Sequence, residues 1–113
     1  MGSKILIVDD MVQSLGMLST HLKKDGYEIF TAQSYNESIA ILNTESIDLI
    51  LLDVVMPDVD GYESCRRYKQ DDTIKNIPVI FITSCEAALV IASCFEAGGA
   101  DYIQKFSTQI EIL

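Results

Sequence analysis

The sequence predicts a doubly wound α/β domain: a five-stranded parallel sheet with helices on both faces. Five strand-length apolar runs recur along the 113 residues: "KILIV" (4–8), "YEIFT" (27–31), "DLILL" (48–52), "PVIFI" (78–82) and "DYIQ" (101–104). Helix-type segments separate them, and such alternation implies a parallel sheet covered on both sides. Three of the runs are continuously apolar, as strands buried on both faces should be. The segments between runs are long enough for right-handed crossovers.

Each element carries its own local signal. After the Ile- and Val-rich first strand, Val12, Leu15, Leu18 and Leu22 recur at three- and four-residue spacing and predict a helix over 12–24, stopped at Gly26. Ser34 with Glu37 reads as a capping box that opens a helix over 35–44. Asp60 with Glu63 reads the same way before 61–70, where Tyr62, Cys65 and Tyr68 line one face. Pro78 takes the first position of its strand, where a missing N–H is tolerated. The segment "EAALVIASCFEAGG" (86–99) supplies the fourth helix and ends at Gly98-Gly99. It carries no charge from Ala87 to Phe95. A surface helix rich in Ala and Ser fits this pattern, and so does a protein contact through 87–95, such as a homodimer. After the fifth strand only "KFSTQIEIL" remains, so a fifth helix from Ser107 to Leu113 is truncated at under two turns. Residues 1–113 are therefore expected to form a single domain, cut from or leading into a longer chain.

Composition excludes several classes. A formal net charge of −9 argues against direct nucleic-acid binding, which needs Lys and Arg for phosphate contacts. No apolar run approaches a membrane span, and "MGSKILIVDD" lacks the features of a secretory signal. Cys65, Cys85 and Cys94 show no C-x-x-C spacing and no accompanying histidine cluster. They read as reduced, partly buried thiols in a cytoplasmic protein. The single histidine, His21, falls at the polar end of the first helix and reads as a surface residue.

Chemistry gathers where the strands end. The first strand is followed by Asp9-Asp10, the third by Asp53, the fourth by Thr83-Ser84 and the fifth by Lys105. Ligands of open α/β sheets bind at those carboxyl ends, so three carboxylates, a hydroxyl and an ammonium converge on one crevice. Three close carboxylates repel one another, and a bound divalent cation removes that penalty. Hard oxygen ligands with few protein contacts favour Mg2+, which pairs with phosphate. A carboxylate can be the nucleophile that forms an acyl-phosphate.

The motifs "ILIVDD", "LILLDVVMPDVDG", "VIFITS" and "FEAGGADYIQK", in this order and spacing, resemble those of response-regulator receiver domains of two-component signalling. The resemblance covers 1–106 and implies the flavodoxin-like fold, with strand order 2-1-3-4-5. It implies Asp53 as phosphoacceptor, with Asp9, Asp10, Asp53 and the backbone carbonyl of Val55 holding Mg2+. Thr83 would contact the phosphoryl group, and Lys105 would pair with Asp53 and the phosphoryl oxygens. Tyr102 would be the switch aromatic that follows Thr83, while Met56-Pro57 and Gly61 shape the loop after the phosphoacceptor. The donor would be a phosphohistidine on a sensor histidine kinase or a histidine phosphotransfer protein.

The chain departs from the family pattern at three positions. Phe106 follows Lys105 where the family has a proline after a typically cis bond. A cis bond before Phe costs about 2.5–4 kcal/mol, so a trans Lys105–Phe106 bond is expected. Val55 and Cys85 occupy the two positions that tune acyl-phosphate hydrolysis in the family, and neither suits orienting a water. A long-lived phosphorylated state is expected. Other classes fit less well. A haloacid-dehalogenase-type phosphohydrolase needs a second acid at Val55, a calcium loop needs acids at Met56 and Arg67, and no G-x-G-x-x-G follows the first strand. The alternative reading is a receiver-like interaction or dimerisation module with impaired phosphotransfer.

Overall fold

The computed structural model describes residues 2–56, 59–83 and 88–104, with the side chains of 83, 88–91 and 102–104 outside that description. The elements are β1 (Lys4–Val8), α1 (Val12–Lys24), β2 (Glu28–Ala32), α2 (Tyr35–Leu42), β3 (Leu49–Asp53), α3 (Gly61–Gln70), β4 (Val79–Thr83), α4 (Ala88–Glu96) and β5 (Asp101–Gln104). All five strands pair in parallel, in the order β2-β1-β3-β4-β5. This is the doubly wound topology that the alternation and the resemblance imply. The truncated fifth helix, Lys105 and Phe106 lie outside the described residues.

β1, α1, α3 and β5 have the predicted bounds, whereas β2, β3 and β4 begin and end one residue later than their apolar runs. Asp53 and Thr83 are thus the last residues of their strands. Pro78 falls just before β4, and its carbonyl accepts the Ile50 N–H at 3.0 Å. α2 ends at Leu42 rather than 44; beyond it the Thr44 hydroxyl bonds the Ala40 and Ile41 carbonyls, each at 3.2 Å.

Both predicted caps form, but neither closes as a full box. Ser34 accepts the Glu37 N–H at 3.2 Å, while the Glu37 carboxylate reaches the N–H of Gln33 at 2.9 Å, one residue before the cap. Asp60 accepts the Glu63 N–H at 2.9 Å. The Glu63 carboxylate turns instead to Arg67 at 3.1 Å and Arg66 at 3.5 Å. Gly26 ends α1 in the left-handed region, at φ 90, with its N–H on the Lys23 carbonyl at 3.0 Å.

Successive strand residues point to opposite faces, so the sheet divides its apolar side chains between two cores. Leu6, Val8, Ile50, Leu52, Val79 and Phe81 pack on one side with Cys65 and Tyr68 of α3 and Cys94 of α4. Ile5, Ile7, Leu51 and Ile82 pack on the other with Leu15 and Leu18 of α1. The first core contains an α2–α3 clasp: the Tyr68 hydroxyl and Ser38 Oγ are 2.5 Å apart, and the Tyr68 ring stacks on Tyr35 with centroids 5.7 Å apart. Val12 corrects the predicted apolar stripe. It is 69% exposed, because the first turn of α1 stands at the strand-end rim rather than over the sheet. α4 is not buried all round: Cys94, and Ala97 just past its end, face the core, while Phe95 is 48% exposed. Among the described residues no helix is long and apolar enough to cross a membrane.

Cys65 and Cys94 are free and buried, whereas Cys85 lies outside the described residues. Burial pushes the Cys65 thiol up from 9.0 to about 11. The stability held in this neutral thiol is fully present below pH 9.0 and is lost as pH rises through about 11. Urea midpoints followed over that window should therefore fall more steeply for the wild type than for Cys65→Ala. Parallel slopes would refute the assignment.

Candidate functional site

β1 delivers Asp9 and Asp10 to the end of the sheet. Asp9 is fully buried; its N–H donates to the Ala32 carbonyl at 3.0 Å, extending the β1–β2 pairing. Its Oδ1 accepts the Met11 N–H at 2.9 Å. Met11, the N-cap of α1, offers no capping side chain of its own, so the acid helps to open the helix that follows it.

β3 delivers Asp53, which is 5% exposed. Val8 pairs with Leu52, so Asp9 and Asp53 are the next residues along on adjacent central strands. Carboxylate oxygens of Asp9, Asp10 and Asp53 lie within 4.8 Å of one another. The structure thus brings together all three acids expected from the sequence. On the other side Asp53 pairs with Ile82, and the Val54 N–H reaches the Ile82 carbonyl at 3.3 Å. Thr83, one residue beyond, ends β4 beside the acids, with its side chain outside the described residues. The side chains of Tyr102 and Lys105 also lie outside them.

The start of α3 holds the acid loop from below. The Gly61 N–H donates to the Val54 carbonyl at 2.8 Å. A Cβ on Gly61 would stand 2.1 Å from the Asp53 carbonyl oxygen and 2.8 Å from Val54 Cα. Both neighbours are backbone, so any side chain must drive the helix and strand end apart. Gly61→Ala is expected to cost ~1–3 kcal/mol, the usual range for overpacking, read from urea denaturation. Unchanged stability would mean that α3 withdraws freely from Asp53.

Sequence reasoning missed the apolar rim of this crevice. Met11 is 44% exposed, Val12 69% and Val55 75%. Their signal was available: Met11 and Val12 are apolar residues at a helix start, directly after two acids. It also missed Tyr62 as a link to α4, since its spacing marks it simply as part of the core-facing stripe.

Fold and acids together define a class: a doubly wound α/β domain with a carboxylate crevice at its topological switch point, where β1 meets β3. The chain belongs to the response regulator receiver domain family, whose model matches residues 5–113. It is 35% identical over 105 residues to the response regulator PleD of Caulobacter vibrioides, covering 93% of this chain and 23% of that protein. It is 40% identical over 101 residues to ycf27 of Cyanidium caldarium, covering 89% of this chain and 39% of that protein. The chain therefore spans well under half the length of these curated relatives. The structure of the signal receiver domain of a signal transduction histidine kinase from Syntrophus aciditrophicus superposes with a TM-score of 0.87 at 31% identity, covering 98% and 84% of the two chains. The domain is a two-component signalling receiver, as the motifs led us to expect.

Proposed function

We propose that this receiver domain takes a phosphoryl group onto Asp53 from a phosphohistidine on a sensor histidine kinase or histidine phosphotransfer protein, with Mg2+ as cofactor. Phosphorylation then switches a protein-binding surface. The acid trio carries this reading: three carboxylates, two of them buried, within 4.8 Å at the end of the central strands. Hard oxygens so placed fit Mg2+, which retains several waters and pairs with phosphate. Asp9, Asp10, Asp53 and the Val55 carbonyl would hold the ion, which when bound neutralises charge on the phosphoryl oxygens.

Asp53 acts as the nucleophile. One carboxylate oxygen forms the O–P bond as the donor's P–N bond breaks, with the electron pair leaving on the imidazole nitrogen. Thr83 donates a hydrogen bond to the transferred group, Lys105 supplies its cation, and Tyr102 follows Thr83 as the switch aromatic. For Thr83 and Tyr102 these roles rest on position in β4 and β5 and on the family resemblance, and for Lys105 on the resemblance. The switched surface biases a two-state element, and the exposed Phe95 face of α4 is our candidate for it. Free buried thiols suit work in the reducing cytoplasm.

Incubation with Mg2+ and acetyl phosphate tests the reading. Intact mass should show one added phosphoryl group, mapping to the peptide that contains Asp53. No adduct, or an adduct elsewhere, overturns it. The rim makes a further prediction. Val55 is 75% exposed and apolar, with nothing to orient an attacking water, so the adduct should be long-lived. Val55→Asn should shorten its half-life several-fold, and an unaltered half-life would sink this idea.

A further inference from the structure

Tyr62 occupies the first turn of α3, directly after the glycine that abuts the Asp53 backbone. Its ring lies 5.7 Å from that of Phe81 at an interplanar angle of 48°. Its hydroxyl is in hydrogen-bond contact with Cys94 and Ser93 of α4. Phe81 cannot yield easily: it is fully buried, and a Cβ on Gly99 would already stand 2.6 Å from its ring. Cys94 is also fully buried, and its carbonyl accepts the Gly99 N–H at 3.0 Å. The next residue, Phe95, is 48% exposed on the outer face of α4.

The contact with Phe81 needs only an aromatic ring. The hydroxyl is what reaches α4, and burial raises the phenol above its ordinary value. A shift of the Asp53 backbone must move Gly61, because no gap separates them. Movement of Gly61 rotates the first turn of α3 and carries Tyr62 with it. The Tyr62 hydroxyl then either keeps or breaks its bonds to α4.

We propose that Tyr62 is a positioning residue that transmits the state of Asp53 to α4, so that the Phe95 face reports phosphorylation through α3 as well as through the end of β4. The proposal rests on Asp53 being the phosphoacceptor. Coupling between sites is a free energy that both sites bias, and it requires an element with two arrangements. Here that element is the Tyr62 contact.

The test is amide hydrogen exchange of α4 (88–96) with and without acetyl phosphate and Mg2+, with intact mass measured on every sample. In the wild type, phosphorylation should change α4 exchange by about fivefold or more, the low end of site-to-site coupling. Tyr62→Phe keeps the ring and removes the hydroxyl; it should form the adduct yet lose the α4 response. The double variant Ser93→Ala/Cys94→Ala, which removes both partners of the hydroxyl, should behave likewise, and Cys94→Ser, which keeps a hydrogen-bonding partner, should retain the response. A full response in phosphorylated Tyr62→Phe overturns the proposal, as does an absent response in phosphorylated wild type. Absence of any adduct in the wild type overturns the Asp53 reading and the proposal with it, and the mass data distinguish that case from the others.

Discussion

Asp53→Asn is expected to abolish the phosphoryl adduct and to stabilise the Mg2+-free protein. The asparagine amide keeps the shape of the side chain but is no nucleophile for phosphoryl transfer. The stability gain follows from Coulomb's law. Two unit charges 4 Å apart interact by about 4 kcal/mol at an effective dielectric near 20, and by about 1 kcal/mol in water. The trio holds its oxygens within 4.8 Å, with Asp9 and Asp53 both buried. Removing one charge should therefore raise the unfolding free energy by ~1–3 kcal/mol, measured in urea with a chelator present. Mg2+ binds the folded state and so should stabilise the wild type by mass action, narrowing the gap. An Asn variant no more stable than wild type in chelator would show that other groups already relieve the repulsion. The expected trade is a common one: a site arranged for chemistry lowers the stability of the fold that carries it.

Phe81→Ala should be among the most damaging substitutions in the core. Phe81 is fully buried at the centre of β4, paired in register with Leu52 on one side and Tyr102 on the other. The Tyr62 ring and Gly99 close around it. Truncating a buried phenylalanine costs ~3–5 kcal/mol, through lost burial and the cavity left behind. Domains have only ~5–15 kcal/mol in total, so this variant should approach the unfolding threshold at ordinary temperature. Urea and thermal denaturation measure the loss. A cost below ~1 kcal/mol would mean that the surrounding side chains collapse into the space. Phe81→Leu, which leaves a smaller void, should retain most of the stability.

Much of this architecture is legible because its signals are local. Ser34 and Asp60 cap their helices as their spacing predicts, and Gly26 and Gly98 take left-handed conformations where the helical patterns stop. The apolar runs locate the strands, but a reading by hydropathy stops at the last apolar residue. Backbone pairing runs one residue further, to Asp53 opposite Ile82 and to Thr83 opposite Gln104. The polar residues that form the crevice are thereby strand residues. Val12 shows the limit of periodicity, since it sits on the right helical stripe but past the end of the sheet. Tyr62 shows another: spacing places it among core residues, yet its hydroxyl contacts come from a helix about thirty residues away, which no local pattern encodes.

The parallel register has a consequence for how such a chain can change. Every acid of the crevice is reached by counting along a strand from its pairing partners: Val8 with Leu52, then Asp53 with Ile82. One residue inserted within β3 would turn the Asp53 side chain to the opposite face, because strand side chains alternate. The connections 43–48, 71–78 and 97–100 join helices to strands at the far end of the sheet. Length can vary there without altering that count at exposed positions such as Asp72–Thr73 and Lys75–Asn76, away from the buried Ile47, Ile74 and Ala97. The domain thus has one end with a strict reading frame and one without. Tags, grafted segments and inherited insertions belong at the second.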